Sequence, residues 1–185
     1  MNIKKIITII LIMVSVLTGC GKSDSDKVKD NSQVTQENHG RVEEETVETL
    51  VAKFNTEVDD NSSLNPASTD YLTESNNEYW YGLIEGIYLV AVPKKYTGDK
   101  AADIVNYTLL YVNKTGEYES DAASYVKHLI KANNNQITDS EIDTLLKEAK
   151  TKPNSGEAAN NGKGISVGYT ENEEKYQYQV LRLYK

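Results

Sequence analysis

Between residues 42 and 185 the spacing of apolar residues switches from helical to strand-like, back to helical, and to strand-like again. Val47, Leu50, Val51, Phe54 and Val58 recur three and four apart, the stripe of one helix face. That helix is expected to begin near Val42, with Glu43, Glu44 and Glu45 in a first turn whose dipole favours anions. After a loop-like stretch over 65–77, Tyr79 to Glu85, Ile87 to Val92 and Ile104 to Val112 are aromatic and β-branched, as strands are. In the third strand the Val105/Tyr107/Leu109/Tyr111 face reads as the better core candidate.

Helical spacing returns at Ala122, Tyr125, Val126, Leu129 and Ile130, with His128 on the opposite, solvent-facing side. Thr138 followed by Glu141 is a capping box, and Ile142, Leu145, Leu146 and Ala149 form the stripe behind it. Residues 151–163 read as a polar loop, and 164–170 and 175–184 as a closing hairpin. Short connections between strands favour antiparallel pairing, and single-sided helical stripes favour packing on one face. The expected fold is therefore one α+β domain over 42–185, mainly an antiparallel sheet with helices on one face.

Composition narrows what holds this domain together. Cys20 is the only cysteine, which excludes an intramolecular disulfide and a cysteine-based zinc cluster. With 20 Lys+Arg against 28 Asp+Glu the chain carries −8, which argues against a nucleic-acid partner.

The first 20 residues follow a different logic. Lys4 and Lys5 precede an apolar run, Ile6 to Leu17, broken only by Thr8 and Ser15. About a dozen residues is too short to span a bilayer, which takes about 20. The order of a cationic start, a short apolar run and a small-residue end is that of a secretory signal. Leu17-Thr18-Gly19-Cys20 resembles the lipobox of bacterial lipoproteins. The resemblance implies that residues 1–19 are a signal peptide cleaved before Cys20, and that Cys20 is diacylglyceryl-modified and holds the chain to the membrane. It also implies a place on the extracytoplasmic face of the cell membrane. A composition rich in Asn, Lys, Ile and Tyr, whose codons are A/T-heavy, fits a single-membraned, low-GC bacterium. Residues 20–41 then form the lipidated cysteine and a polar tether. Its only apolar side chains for burial are Val28 and Val34, so disorder is expected, with a reach of about 25 Å.

The search for chemistry rejects more than it keeps. The segment from Gln136 to Glu141 imitates the end of a calcium loop, but Ile130 and Ala132 occupy ligand places and cannot coordinate. Gly156 to Gly164 has the wrong spacing for a phosphate loop and leads into a strand. His39 lies in the tether without ligand company, and Gly164-Ile165-Ser166-Val167-Gly168, which has Gly-x-Ser-x-Gly spacing, lies within an expected strand and not at a strand-to-helix turn. No metal site, cofactor or catalytic set is expected, and the sequence leaves the oligomeric state open.

What stands out is aromatic: thirteen tyrosines beside one Trp and one Phe. Tyr79, Trp80, Tyr81, Tyr176 and Tyr178 fall on expected strands and are the candidate partner-binding residues, since Tyr and Trp offer broad amphipathic contact area. On a strand Trp80 must face opposite to Tyr79 and Tyr81. The expected function is a membrane-anchored, non-catalytic lipoprotein domain that binds an envelope protein. The alternative is a small-ligand or glycan-binding lipoprotein, with an envelope hydrolase behind both.

Overall fold

A computed structural model describes residues 41–60, 64–68, 70, 72–73 and 76–184, the pair 72–73 by its backbone alone. The leader with its lipobox, Cys20, the tether to residue 40 and His39 lie outside the described residues.

The first helix, α1, runs Val47–Asp59 and buries the five residues of the expected stripe. It starts five residues later than expected. Thr46 takes extended backbone and its hydroxyl accepts from the Thr49 N–H, which makes Thr46 the cap. Ahead of it the Val42 N–H donates to Leu183 O, and the Val105 N–H donates to Glu45 O. Glu43, Glu44 and Glu45 are thus part of an extended approach to the sheet, and Glu48 is the acid of the first turn.

Strands β1 (Leu72–Thr73), β2 (Tyr79–Ile84), β3 (Ile87–Pro93) and β4 (Val105–Asn113) follow. Gly86, at φ +83°, makes the β2–β3 turn, where a side chain would be strained. A short 3₁₀ turn (Glu119–Asp121) leads into α2 (Ala122–Asn133), and α3 (Asp139–Thr151) opens on the expected capping box at Thr138 and Glu141. The chain closes with β5 (Ala159–Asn160), β6 (Ile165–Glu171) and β7 (Lys175–Arg182). All strands pair antiparallel in one seven-stranded sheet of order β1-β2-β3-β4-β7-β6-β5. Two elements are additions to the expected set: the short pieces β1 and β5 form inside stretches that read as loop.

The stripes of all three helices join one side of this sheet in a single hydrophobic cluster with Tyr79, Tyr81, Leu89, Leu110, Val112, Tyr178 and Val180. The described residues all fall in one compact unit, and the fold is the expected single α+β domain with its helices on one face.

In β4 the core face is the reverse of the expected one. Thr108, Leu110 and Val112 are buried against the helices, while Tyr107, Leu109 and Tyr111 point away. A bulge causes this: Val92 pairs with Tyr107 and Pro93 with Val105, so Asn106 is an extra residue and the alternation shifts by one. Val105, before the bulge, still faces the core.

Candidate functional site

Because residues opposite one another in an antiparallel pair share a face, the register defines the side of the sheet that no helix covers among the described residues. One row across it is Trp80, Val90, Leu109, Gln179 and Gly168. Below it lie Gly82, Tyr88, Tyr111, Gln177 and Thr170. Above it lie Val92, Tyr107, Leu181 and Ser166. In a chain that is 26% charged, none of these fourteen positions is Asp, Glu, Lys or Arg. An antiparallel sheet with one solvated face usually carries polar side chains there. This one carries aromatics and aliphatics over β2, β3 and β4, and amides, hydroxyls and glycine over β7 and β6.

The large side chains of this face pack on one another instead of on a helix. Trp80 meets Tyr111 at 5.6 Å and Tyr88 at 6.0 Å between ring centroids, and Tyr88 meets Tyr111 at 6.2 Å. The rings are tilted or edge-on, the arrangement their quadrupoles favour. Val90 beside them is fully buried although it is no part of the helix-side core. Glu78 accepts from Trp80 Nε1 at 3.1 Å, and the Lys175 ammonium stands 4.9 Å from the Tyr111 ring centroid, so charge appears only at the rim. Burial, then the Glu78 carboxylate, pushes the Tyr107 hydroxyl above its usual range, which keeps it a neutral donor.

Both sheet edges are two-residue strands. At one, β1 pairs with Tyr79 and Trp80, and the Ser68 N–H donates to Gly82 O. At the other, β5 pairs with Ser166 and Val167, and Asn154 takes over where β5 stops. The Asn154 N–H donates to Tyr169 O, its side-chain amide to Glu171 O, and its Oδ1 accepts from the Glu171 N–H. Such covering blunts strand addition.

Of the five aromatics expected to bind a partner, only Trp80 lies on the open face. Tyr79 and Tyr81 are fully buried on the helix side, and Tyr178 nearly so. Tyr176 packs beside them. The Tyr79 hydroxyl donates to buried Asp103 at 2.7 Å, where the Thr97 N–H and hydroxyl also donate. Burial pushes the Asp103 carboxyl up, but these hydrogen bonds outweigh it and hold the group below its usual range. Tyr176 and Tyr178 join Tyr169 in a cluster with centroids 5.0–5.9 Å apart, and the Lys150 ammonium lies 5.7 Å from the Tyr178 ring. Burial pushes the Tyr169 and Tyr176 hydroxyls up.

His128 departs from its expected place in solvent. It is half-buried, its Nδ1 is enclosed, and burial lowers its pKa against the opposing pull of Glu57. Arg182, at the end of β7, is buried on the helix side and donates to Glu45 Oε2 at 2.8 Å, Asn133 Oδ1 at 3.0 Å and Glu43 O at 3.0 Å. It ties the approach to α1, the end of α2 and the sheet together.

Among the described residues, two hollows are open dimples: about 280 Å³ beside Glu141, Leu145 and Asn161, and about 150 Å³ beside Val51, Asn55 and Lys100. Also among them, no group of three or more metal-binding side chains comes together, and no helix is long and apolar enough to cross a membrane. No protein-family model matches the chain, and no curated protein and no solved structure is significantly similar to it.

Sequence reasoning missed Tyr88, Val90, Tyr107, Leu109 and Tyr111. The alternation of Tyr88, Val90 and Val92 with Leu89 and Ala91 contained the signal, because both halves of β3 are apolar and one half needs something other than the core to cover it.

Proposed function

We propose that this chain is a membrane-anchored lipoprotein of the bacterial cell envelope, held by lipid on Cys20, and that its domain is a non-catalytic docking module for another envelope protein. The anchor rests on Leu17-Thr18-Gly19-Cys20 behind a short apolar run. The docking role rests on one observation above all: an aromatic and aliphatic sheet face with no charge at its centre and no helix over it among the described residues, in a sheet whose edge strands are two residues long. Interfaces are depleted of charge at their centre and enriched in Tyr and Trp. The open dimples, lined largely by polar side chains, offer a small ligand little enclosure.

Replacing Cys20 by Ser tests the anchor: the protein is expected to leave the membrane fraction or to accumulate uncleaved, and unchanged processing and attachment would overturn it. For the docking role, p-benzoylphenylalanine placed at Tyr111 of the full chain in intact cells is expected to give photo-adducts. The same probe at Lys147, exposed on α3, is expected to give few. Equal yields at the two positions would overturn the role of the face.

A further inference from the structure

We propose that His128 is an acid-sensitive switch in the contact between α1 and α2: a proton taken up by its imidazole finds no acceptor there and loosens the contact.

The packing of α2 sets the surroundings of this ring. Tyr125, one turn before His128, stacks on Phe54 of α1 with ring centroids 6.4 Å apart. Glu57, one turn after Phe54, acts on His128 from α1. Lys131 acts on it from α2 itself, and Asp139 from the start of α3. Lys131 and Asp139 are joined at 2.7 Å, as are Lys127 and Asp143, so the charges toward α3 are matched before His128 gains one. Asp121, two turns earlier, acts on the Tyr125 hydroxyl. From the sheet, β4 and β7 bring Leu110, Val112 and Val180 to the shared core, and Arg182 is taken up by Glu45 and Asn133.

In this place the ring is well housed when neutral and badly housed when charged. Its Nδ1 is enclosed and has no hydrogen-bond partner among the described residues. A neutral imidazole with its proton on Nε2 keeps only a lone pair at Nδ1, whereas the imidazolium sets an N–H there. An enclosed donor without an acceptor is costly, and more so when it carries charge. Glu57 and Asp139 favour the charged ring, but burial is the largest influence and, with Lys131, holds the pKa below the ordinary 6.5. The folded ring therefore binds its proton less readily than the unfolded one. Stability is whole above the ordinary value and falls as pH drops from there toward the lowered one. That window belongs to His128, the only histidine among the described residues. The carboxyl groups that the fold shifts all move down, away from it, and the tyrosines all move up. On the outer side of a membrane, where the proposed anchor would hold the domain, pH follows the surroundings.

The test titrates the full chain in a mild non-ionic detergent and follows the ring protons of its two histidines, His39 and His128, by NMR. His39, expected in the polar tether, is the reference in the same sample. His128 is expected to titrate at lower pH than His39, and a midpoint at or above that of His39 would overturn the switch. This reading needs no variant. Denaturant unfolding, followed by circular dichroism at about pH 7.5 and about pH 5, gives a second one. The unfolding constant of the parent is expected to rise at least about threefold on acidification, and that of His128→Gln, whose side chain does not titrate, by less than half as much. Equal rises would place the dependence elsewhere and overturn the proposal. Amide exchange at Val51, Phe54 and Val58 of α1 is expected to quicken more in the parent than in His128→Gln over the same step. Equal quickening in the two would overturn the place assigned to the opening. None of these readings depends on the lipid anchor or on the aromatic face.

Discussion

The two faces of the sheet are both apolar, but they are built differently. On the helix side, tyrosines sit among aliphatic side chains from three helices, and the buried charges, Asp103 and Arg182, are fixed by several hydrogen bonds each. On the open side charge stands only at the rim, and the aromatic rings lean on one another. A buried charge makes a face specific for one internal arrangement, because an unpaired ion there is costly. A face without charge can be covered or uncovered without that penalty. The comparison separates a surface tied down by fixed charges from one held by the packing of its own rings.

The largest expected contrast is between neighbours in sequence. Tyr81→Ala removes a fully buried ring from the helix-side core and is expected to cost about 3–5 kcal/mol in denaturant unfolding. Trp80→Ala, one residue away, removes a partly buried ring that touches Tyr88 and Tyr111 and is expected to cost about 1 kcal/mol. Equal costs for the two would mean that the open face is a second core, and the distinction between the faces would fail.

How much of this was legible beforehand depends on the element. The stripe of α1, the stripe of α2 and the capping box of α3 could be read residue by residue, because helical periodicity and side-chain capping are local. The assignment of faces in β4 could not be read. It depends on one extra residue, Asn106, which only the pairing of β3 with β4 reveals. The start of α1 was misplaced for a similar reason: Val42 and Glu45 are held by partners about 140 and 60 residues away, which no local signal reports. The site suffered most. A tyrosine looks the same in sequence on either face of a strand whose two faces are both apolar, so four of the five candidate aromatics fell on the helix side.

A smaller effect sharpens what fixed charge does on the covered side. Asp103 has its folded pKa lowered from the ordinary 3.8, so it contributes stability above that pH and loses it as pH falls through the lowered value. Asp103→Asn is expected to cost about 1.5–3 kcal/mol at neutral pH, the range for hydrogen bonds to a charged group. The variant is also expected to show a shallower loss of stability on acidification below about pH 4 than the parent. Parallel acid limbs for the two proteins would show that the carboxylate is not the source of that dependence.

The smallest effect is expected at Gly82, on the open face opposite Tyr88. Its backbone is not in the left-handed region, and an added Cβ meets nothing within 4 Å. Glycine in a strand gives up more freedom on folding than alanine does, so Gly82→Ala is expected to stabilise the domain by about 0.5 kcal/mol, chiefly through the unfolded state. In a domain of this size that is a rise in melting temperature of about 2 °C. On the covered side the core is packed to the density of a crystal, and added bulk there costs stability. Ala91→Val, at a fully buried position of the same sheet, is therefore expected to lower the melting temperature. Melting both variants beside the parent reads the sign of added volume on each face. A gain at Gly82 with a loss at Ala91 is the pattern of one filled face and one open face. A loss at both would mean that the hollow beside Tyr88 is already occupied by the protein's own packing.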